Sequence, residues 1–381
     1  MNKSSTVRHL VAPVLFPLAA GYAALSVPAS LAVREGLITG LPGLAFPLGH
    51  AHEMLFGYAL AVVAGFLINR AGPLALAAMV LCWLGARAGW ILRPDTLIPA
   101  GLNIAFAAIV AGIAAPRFMR GAKKWRNRLT GPIVLAIGAA AVLFHLAGWP
   151  QFGGLRYLLL QQAVVLFALL MLFFGARLIA PAAAGAIEQA GGHLEARVQP
   201  RLEGTVLVLM IAALVLGFMP GASVFTGSLL AAAGVVAAVR LARWRLWRCA
   251  SRIDLVCLGI GYGWLAAGLM LVGLDQTLGG PYRNPAYTHA ITIGALGTLS
   301  TCIMLRTRRL QARRQGWRGG SFAWMTALIG VATLLRMLAG GNPTVLAAAG
   351  AAWSLALVVL IGALLRGPAR DRAERTSGLP G

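Results

Sequence analysis

The sequence predicts an all-α membrane protein, a polytopic bundle of about twelve transmembrane helices with both termini on the cytoplasmic side. Three observations carry that prediction. Of the 381 residues, 59% are hydrophobic, 47 are glycine and only 11% are charged, with a mean hydropathy of +0.79. A soluble domain carries roughly 25% charged residues, so that class is excluded. Apolar runs of bilayer-crossing length, about 17 residues or more, recur along the whole chain. The 33 Lys and Arg residues, against 10 Asp and Glu, gather in alternate gaps between those runs.

The runs fall at 11–33, 50–69, 72–92, 97–116, 130–149 and 155–176, and then at 204–219, 222–241, 253–274, 286–305, 321–340 and 344–365. The first has an apolar stretch longer than the core of a signal peptide and is kept as a span. Only the gap 177–203 is long. It is polar and holds Gly191 and Gly192, so it reads as a cytoplasmic loop, with 367–381 as a disordered basic tail. No connection is long enough for a soluble domain, which makes 1–381 a single integral-membrane domain.

Alternate gaps place 27 of the 33 basic residues on one side. They include Lys3, Arg70, the run from Arg117 to Arg128, the run from Arg240 to Arg252, the run from Arg306 to Arg318, and the tail from Arg366 to Arg375. The other side holds only Arg34, Arg93, Arg156 and Arg283, while Arg87 and Arg336 fall inside spans. The positive-inside rule makes the rich side cytoplasmic. The net charge of +23 is thereby explained by membrane orientation, and no nucleic-acid partner is expected. The four cysteines form no CxxC pair and give no redox signal.

The histidines carry the chemistry. His9 and His193 lie in polar segments and read as solvated. His50, His52, His145 and His289 all fall near the outer ends of spans, on the side opposite the arginines. Ionisable groups at membrane depth are costly and mark function by default, and imidazole is both the commonest metal ligand and an axial ligand of haem iron. One shared site is the economical expectation, weighed against imidazoles that hydrogen-bond the backbone or sit at headgroup level. On a helix His50 and His52 point roughly 200° apart. Either one ligates without the other, or His50 precedes the helix in an extended His-x-His that would, with Met54, suit copper.

Glu53 is the acidic residue that the span pattern places inside the bilayer. It reads as a partner or proton carrier for the histidines, or as a helix N-terminal carboxylate. Arg87 and Arg336 lie at the depth of the histidines and need anions, which haem propionates would supply, unless they snorkel to the headgroups. Trp83, Trp90, Trp149, Trp264 and Trp353 read as belt or core residues. The pairs Gly85 with Gly89 and Gly294 with Gly297 mark close helix contacts.

The stretch HAHEMLFGYALAVVAGFL at 50–67 closely resembles the hallmark helix of the NnrS family, bacterial twelve-helix membrane proteins associated with haem, copper and resistance to nitric oxide. LFHLAG (143–148), GARLIAP (175–181), GYGWLAAGLML (261–271) and HAITIGALGT (289–298) follow in the same order. The resemblance implies that His50, His52, His145 and His289 are the ligands of haem b or copper. Departures occur where Gly259 and Gln311 replace family histidines and where Asn69, Arg70 and Ala71 reduce a family turn.

The expected function is a bacterial inner-membrane haem protein that binds or processes nitric oxide near the periplasmic face and protects against nitrosative stress. Nitric oxide is uncharged and lipid-soluble, so such a site needs no aqueous channel for it. The alternatives are a secondary transporter of a metal ion, haem or small metabolite, and a structural subunit whose haem is closed to gas.

Overall fold

The structure is a computed structural model and describes residues 8–46, 48–94, 96–121, 128–148, 153–195, 199–278, 284–312 and 319–366. Every one of the twelve apolar segments forms a helix. The first six are α1 (Ala12–Arg34), α2 (Gly49–Leu67), α3 (Pro73–Leu92), α4 (Leu97–Gly121), α5 (Thr130–Leu146) and α6 (Gly153–Gln189). The second six are α7 (Pro200–Leu216), α8 (Ser223–Arg243), α9 (Ile253–Leu278), α10 (Ala290–Gln311), α11 (Gly320–Leu338) and α12 (Pro343–Leu365). Ten are long and apolar enough to cross a membrane. The other two, α5 and α7, have 17 residues each and span about 26 Å against a hydrocarbon core of about 30 Å, so ten candidate crossings are shown among the described residues.

The helix ends follow local chemistry. Pro73, Pro200 and Pro343 open α3, α7 and α12, where a missing N–H costs nothing. Asn342 caps α12 by accepting from the N–H groups of Thr344 and Val345 at 3.0 and 3.3 Å. The expected loop at 177–203 is shorter than its polarity suggested. Ile179, Ala180, Ala183, Ala184 and Ile187 keep a buried face, so α6 continues to Gln189. It ends only where Gly191 adopts φ +77°, with Gly192 N–H bonded to Ile187 O at 2.9 Å and Gly191 N–H to Glu188 O at 3.0 Å. The tail 367–381, Trp149, Arg283 and the basic residues at 123–126 and 313–318 lie outside the described residues.

The first and last helices pack together: Trp353 Nε1 donates to Ala23 O at 3.0 Å and Ser354 Oγ to Ala24 O at 2.7 Å. A two-stranded ladder, β1 (His9–Leu10) with β2 (Arg70–Ala71), ties the start of the chain to the turn after α2. Small residues set the tight contacts, as the sequence predicted for two pairs. A Cβ on Gly85 would meet Leu102 at 2.8 Å, one on Gly89 Pro99 at 3.0 Å, one on Gly294 Trp264 at 2.8 Å, and one on Gly297 Trp353 at 2.8 Å. Trp83, Trp90 and Trp353 are core residues, not belt residues. A close approach missed from sequence is α8 on α9, where a Cβ on Gly234 would lie 2.7 Å from the Ala266 carbonyl oxygen and one on Gly227 2.6 Å from that of Gly273.

Contacts at one end join residues that the alternation of gaps placed on the basic side. Arg117 donates to Arg70 O at 3.2 Å, Arg177 and Arg240 meet Glu203 at 3.2 and 3.7 Å, and Arg252 meets Asp254 at 2.9 Å. Asp254, at the start of α9, is a fully buried carboxylate that also accepts from Arg306. Asp254 falls inside the apolar run 253–274, so Glu53 is not alone as an acidic group in the spans.

Because the α8–α9 contact leaves no room for a side chain, Gly234→Leu is expected to destabilise the protein by about 1–3 kcal/mol. Thermal melting in detergent would register this as a lowered midpoint, while the same change at Gly112, whose surroundings are open, leaves the midpoint near the parent's.

Candidate functional site

The four membrane histidines do not gather at one point. They divide between a dry polar cluster and a large cavity, and the divide runs through α2. Gly49–His52 is α-helical, so the extended His-x-His that would have brought His50 and His52 onto one ion is not formed. The helical turn sends the two imidazoles apart, as the geometry of residues two apart requires. Immediately after His52 the backbone widens into a π-helical stretch, Glu53–Ala59. A second π stretch, Ala290–Ala295, begins immediately after His289. π-helical turns are rare and concentrate at functional sites.

The dry cluster is built around Glu53, which is fully buried. Its Oε1 accepts from Arg87 Nη1 at 2.6 Å and lies 2.7 Å from His52 Nδ1, and its Oε2 accepts from the Tyr22 hydroxyl. Arg87 donates its other terminal nitrogen to Asn103 Oδ1, and Asn103 in turn donates to Pro99 O at 2.8 Å. Gly57 makes the arrangement possible, since a Cβ there would collide with the Arg87 guanidinium. The same turn of α2 is fixed by Trp83 Nε1, which donates to Gly57 O at 2.8 Å. Arg87 thus finds its anion in the protein and neither snorkels nor needs a propionate.

His52 reaches from this cluster to His145 on α5, Nε2 to Nε2, at 3.0 Å. Trp90 stacks on the His52 ring at 3.9 Å between centroids, and Phe144 stacks on the same ring at 4.9 Å. With Glu53 as acceptor, His52 carries its proton on Nδ1, so its Nε2 lone pair faces His145. A carboxylate behind one nitrogen of an imidazole is the arrangement that orients metal-ligating histidines and raises their basicity. Among the described residues, no three His, Cys, Asp or Glu side chains are grouped as a metal cage.

His50 and His289 line a different space, a cavity of about 720 Å³ bounded by α1, α2, α10, α11 and α12. Arg336, Arg34 and Met54 line it too, and its walls are otherwise mostly apolar, with Leu31, Leu55, Leu296 and Trp353 among them. His289 Nδ1 lies 3.2 Å from Pro285 O, which orients the ring. Arg336 has no hydrogen-bonding partner among the described residues and stands within electrostatic reach of both imidazoles. Arg34 is at the rim, in an exposed pair with Glu35 at 3.7 Å. Among the described residues, no carboxylate lines the cavity.

The family model described as NnrS protein matches residues 14–367. The chain belongs to the NnrS family. No curated protein and no solved structure matches it. Two positions where this NnrS-family chain lacks an expected histidine are occupied in ways that leave no imidazole substitute. The space at Gly259 is filled by the Leu246 side chain, and the Gln311 amide donates to Asn69 Oδ1 at 3.4 Å. Tyr22 and Asn103 were missed from sequence. Their signal was faint, a lone hydroxyl and a lone amide in apolar runs whose partners lie 31 and 16 residues away.

Breaking the central ion pair from one side leaves a buried charge unmatched. Arg87→Gln and Glu53→Gln are each expected to cost about 3–5 kcal/mol, and the double variant less than the sum of the two. Thermal or denaturant unfolding of the four proteins in detergent measures this, and strict additivity would show that the two groups do not interact.

Proposed function

We propose that this protein is a haem-binding member of its family that takes up nitric oxide at the end of the bundle opposite the basic loops, and that the His50–His289 cavity is the haem site. The observation that carries the reading is the convergence, in one cavity of about 720 Å³, of two imidazoles from distant segments with a guanidinium that has no anionic partner among the described residues. Ligand cavities run from about 300 to 1,000 Å³ and are mostly apolar with a few placed polar groups, so size and lining both fit a tetrapyrrole. His289 or His50 would hold the iron, with Met54 a thioether neighbour, and Arg336 with Arg34 would meet the propionates. A haem held by one imidazole would supply the binding of nitric oxide. The protein's own residues provide the apolar enclosure, hold the imidazoles in orientation and match the propionate charge.

For copper, the donor pair with the right chemistry is His52 with His145, backed by the Glu53 carboxylate. Glu53 serves there as an orienting and proton-holding group. The location is a bacterial inner membrane, with twelve crossings and both termini cytoplasmic. The contacts that arginines of the basic gaps make with Glu203, Asp254 and the Arg70 carbonyl support that alternation, as does the cytoplasmic bias of arginine-rich loops.

An absorption spectrum of the purified protein tests the reading. A Soret band that shifts when nitric oxide is added is expected. No band after expression with ample haem would favour a transporter, and a band indifferent to nitric oxide a closed electron-transfer subunit. His289→Ala and His50→Ala are expected to lower haem content, Arg336→Ala to weaken haem retention without abolishing it, and His52→Ala to leave more haem bound than either cavity variant. A reporter enzyme fused after Arg366 is expected to be active only in the cytoplasm, and periplasmic activity would reverse the orientation.

A further inference from the structure

Beside the main cavity lies a second one, of about 330 Å³, and its lining is of a different kind. It is enclosed by α6, the turn between α7 and α8, α8, α9 and the residues before α10. Gln161 and Gln162 come from α6, Ser223 and Thr226 from α8, Gln276 from α9, and Thr288 from the segment that leads into α10. Among the described residues, no charged side chain lines it. Two of these groups are buried and lack partners: Gln162 is 6% exposed with no hydrogen bond to its Oε1, and Thr226 is 7% exposed with none to its Oγ1.

Orphaned polar atoms inside a protein are rare, and the usual reason for one beside a polar space is an ordered water. The volume holds several, since a single water needs only about 10–15 Å³ measured in this way. Gly217 adds a sign that the site is built: its Cα is where the Gln162 amide rests, and a Cβ there would collide with that amide. At the other end the cavity reaches the turn Gly217–Ala222, where Met219 is 53% exposed. Towards the bundle axis it shares two residues, Val164 and Thr288, with the cavity that holds His289. Thr288 therefore stands between the two spaces, one residue before the imidazole.

We propose that this second cavity is a hydrated side entrance, which brings water, and with it protons, from the rim near Met219 to the His289 cavity through the shared wall of Val164 and Thr288. The ligand class is water. Neutral amides and hydroxyls pass a hydrogen-bonded chain, whereas the absence of any charged lining group disfavours ions, whose desolvation nothing there offsets. The proposal draws on the haem reading only for the use to which the water is put. An apolar gas can cross from lipid into the main cavity directly, but any proton consumed beside His289 needs a polar route such as this.

The test is independent of haem. Hydroxyl-radical footprinting by X-ray radiolysis of the unmodified protein is expected to modify Leu230 and Leu269, which line the chamber yet are 1% and 0% exposed, while Leu15, equally buried elsewhere, stays unmodified. Leu230 and Leu269 as silent as Leu15 would overturn the proposal. In a second measurement on Cys82→Ala background, a small, uncharged, water-soluble thiol reagent, 2-hydroxyethyl methanethiosulfonate, is expected to label Met219→Cys at the mouth and Thr226→Cys inside, with loss of labelling at Thr226→Cys when Gln162→Leu is added. Labelling of Met219→Cys with none of Thr226→Cys would count against it. Haem content measured on the same preparations separates the two ideas: without haem binding, these water readouts still stand or fall by themselves.

Discussion

A carboxylate at membrane depth has to be neutralised by groups from the protein, and Glu53 is neutralised by three helices at once. Arg87 on α3 supplies the charge, Tyr22 on α1 a hydroxyl and His52 on α2 itself an imidazole. Asn103 on α4 and His145 on α5 then complete the partners of Arg87 and His52. The first five helices are thereby held in one register by directional contacts, which lipid-driven packing of apolar faces alone does not impose. The rotation of α2 that points Glu53 at Arg87 is also the rotation that leaves His50 facing the cavity. Position and chemistry of the site both follow from that one pairing.

The second constraint is the pair of π-helical stretches. Both begin directly after a histidine, and both lie in helices whose next residues line or adjoin the central cavity. A π turn inserts an extra residue into the helical spacing, so side chains on either side of it leave their 3.6-residue register. In α2 this lets Met54, Leu55 and Tyr58 face the cavity, while Gly57 faces Arg87 and Phe56 packs against His52. In α10 it brings Thr292, Ile293 and Leu296 to the same space below His289. The widened turns meet α9 and α12 through glycines, Gly268 against Ile291 and Gly297 against Trp353, which keeps the backbone close there.

Much of this was legible in the sequence because the physics of a bilayer is coarse. Helix positions follow from runs of apolar residues, and the alternation of arginines follows from the gaps between them, so all twelve helices lie where hydropathy puts them. What sequence could not supply was rotation. Whether His50 or His52 faces a given neighbour depends on where a π turn falls, and nothing in EMLFGYA announces one. Tertiary distance hides the rest: Tyr22 and Glu53, or Asn103 and Arg87, become partners only once the helices are assembled. The end of α6 was misjudged for a local reason, since a Gly-Gly pair marks a terminus accurately while the polar residues before it, Glu188 and Gln189, are still helical.

The separation of the histidines into two environments bears on what the protein can hold. The cluster of Glu53, Arg87, His52 and His145 is closed and internally matched, with one carboxylate against one guanidinium. The cavity is the reverse, with Arg336 and Arg34 on its lining and no carboxylate. A site that carried metal cations as free cargo would repel them with those guanidiniums, and a desolvated cation finds no counter-charge there. An occupant that is apolar over most of its surface and carries acidic groups at one edge is matched on both counts, because the walls accept the apolar part and Arg336 gains the anion that it lacks. Charge complementarity therefore favours a haem over a metal ion in this cavity. It also gives a reason for the two sites to be apart: moving Arg87 to the cavity would strand Glu53, and moving Glu53 there would cancel the positive edge on which the proposed recognition depends.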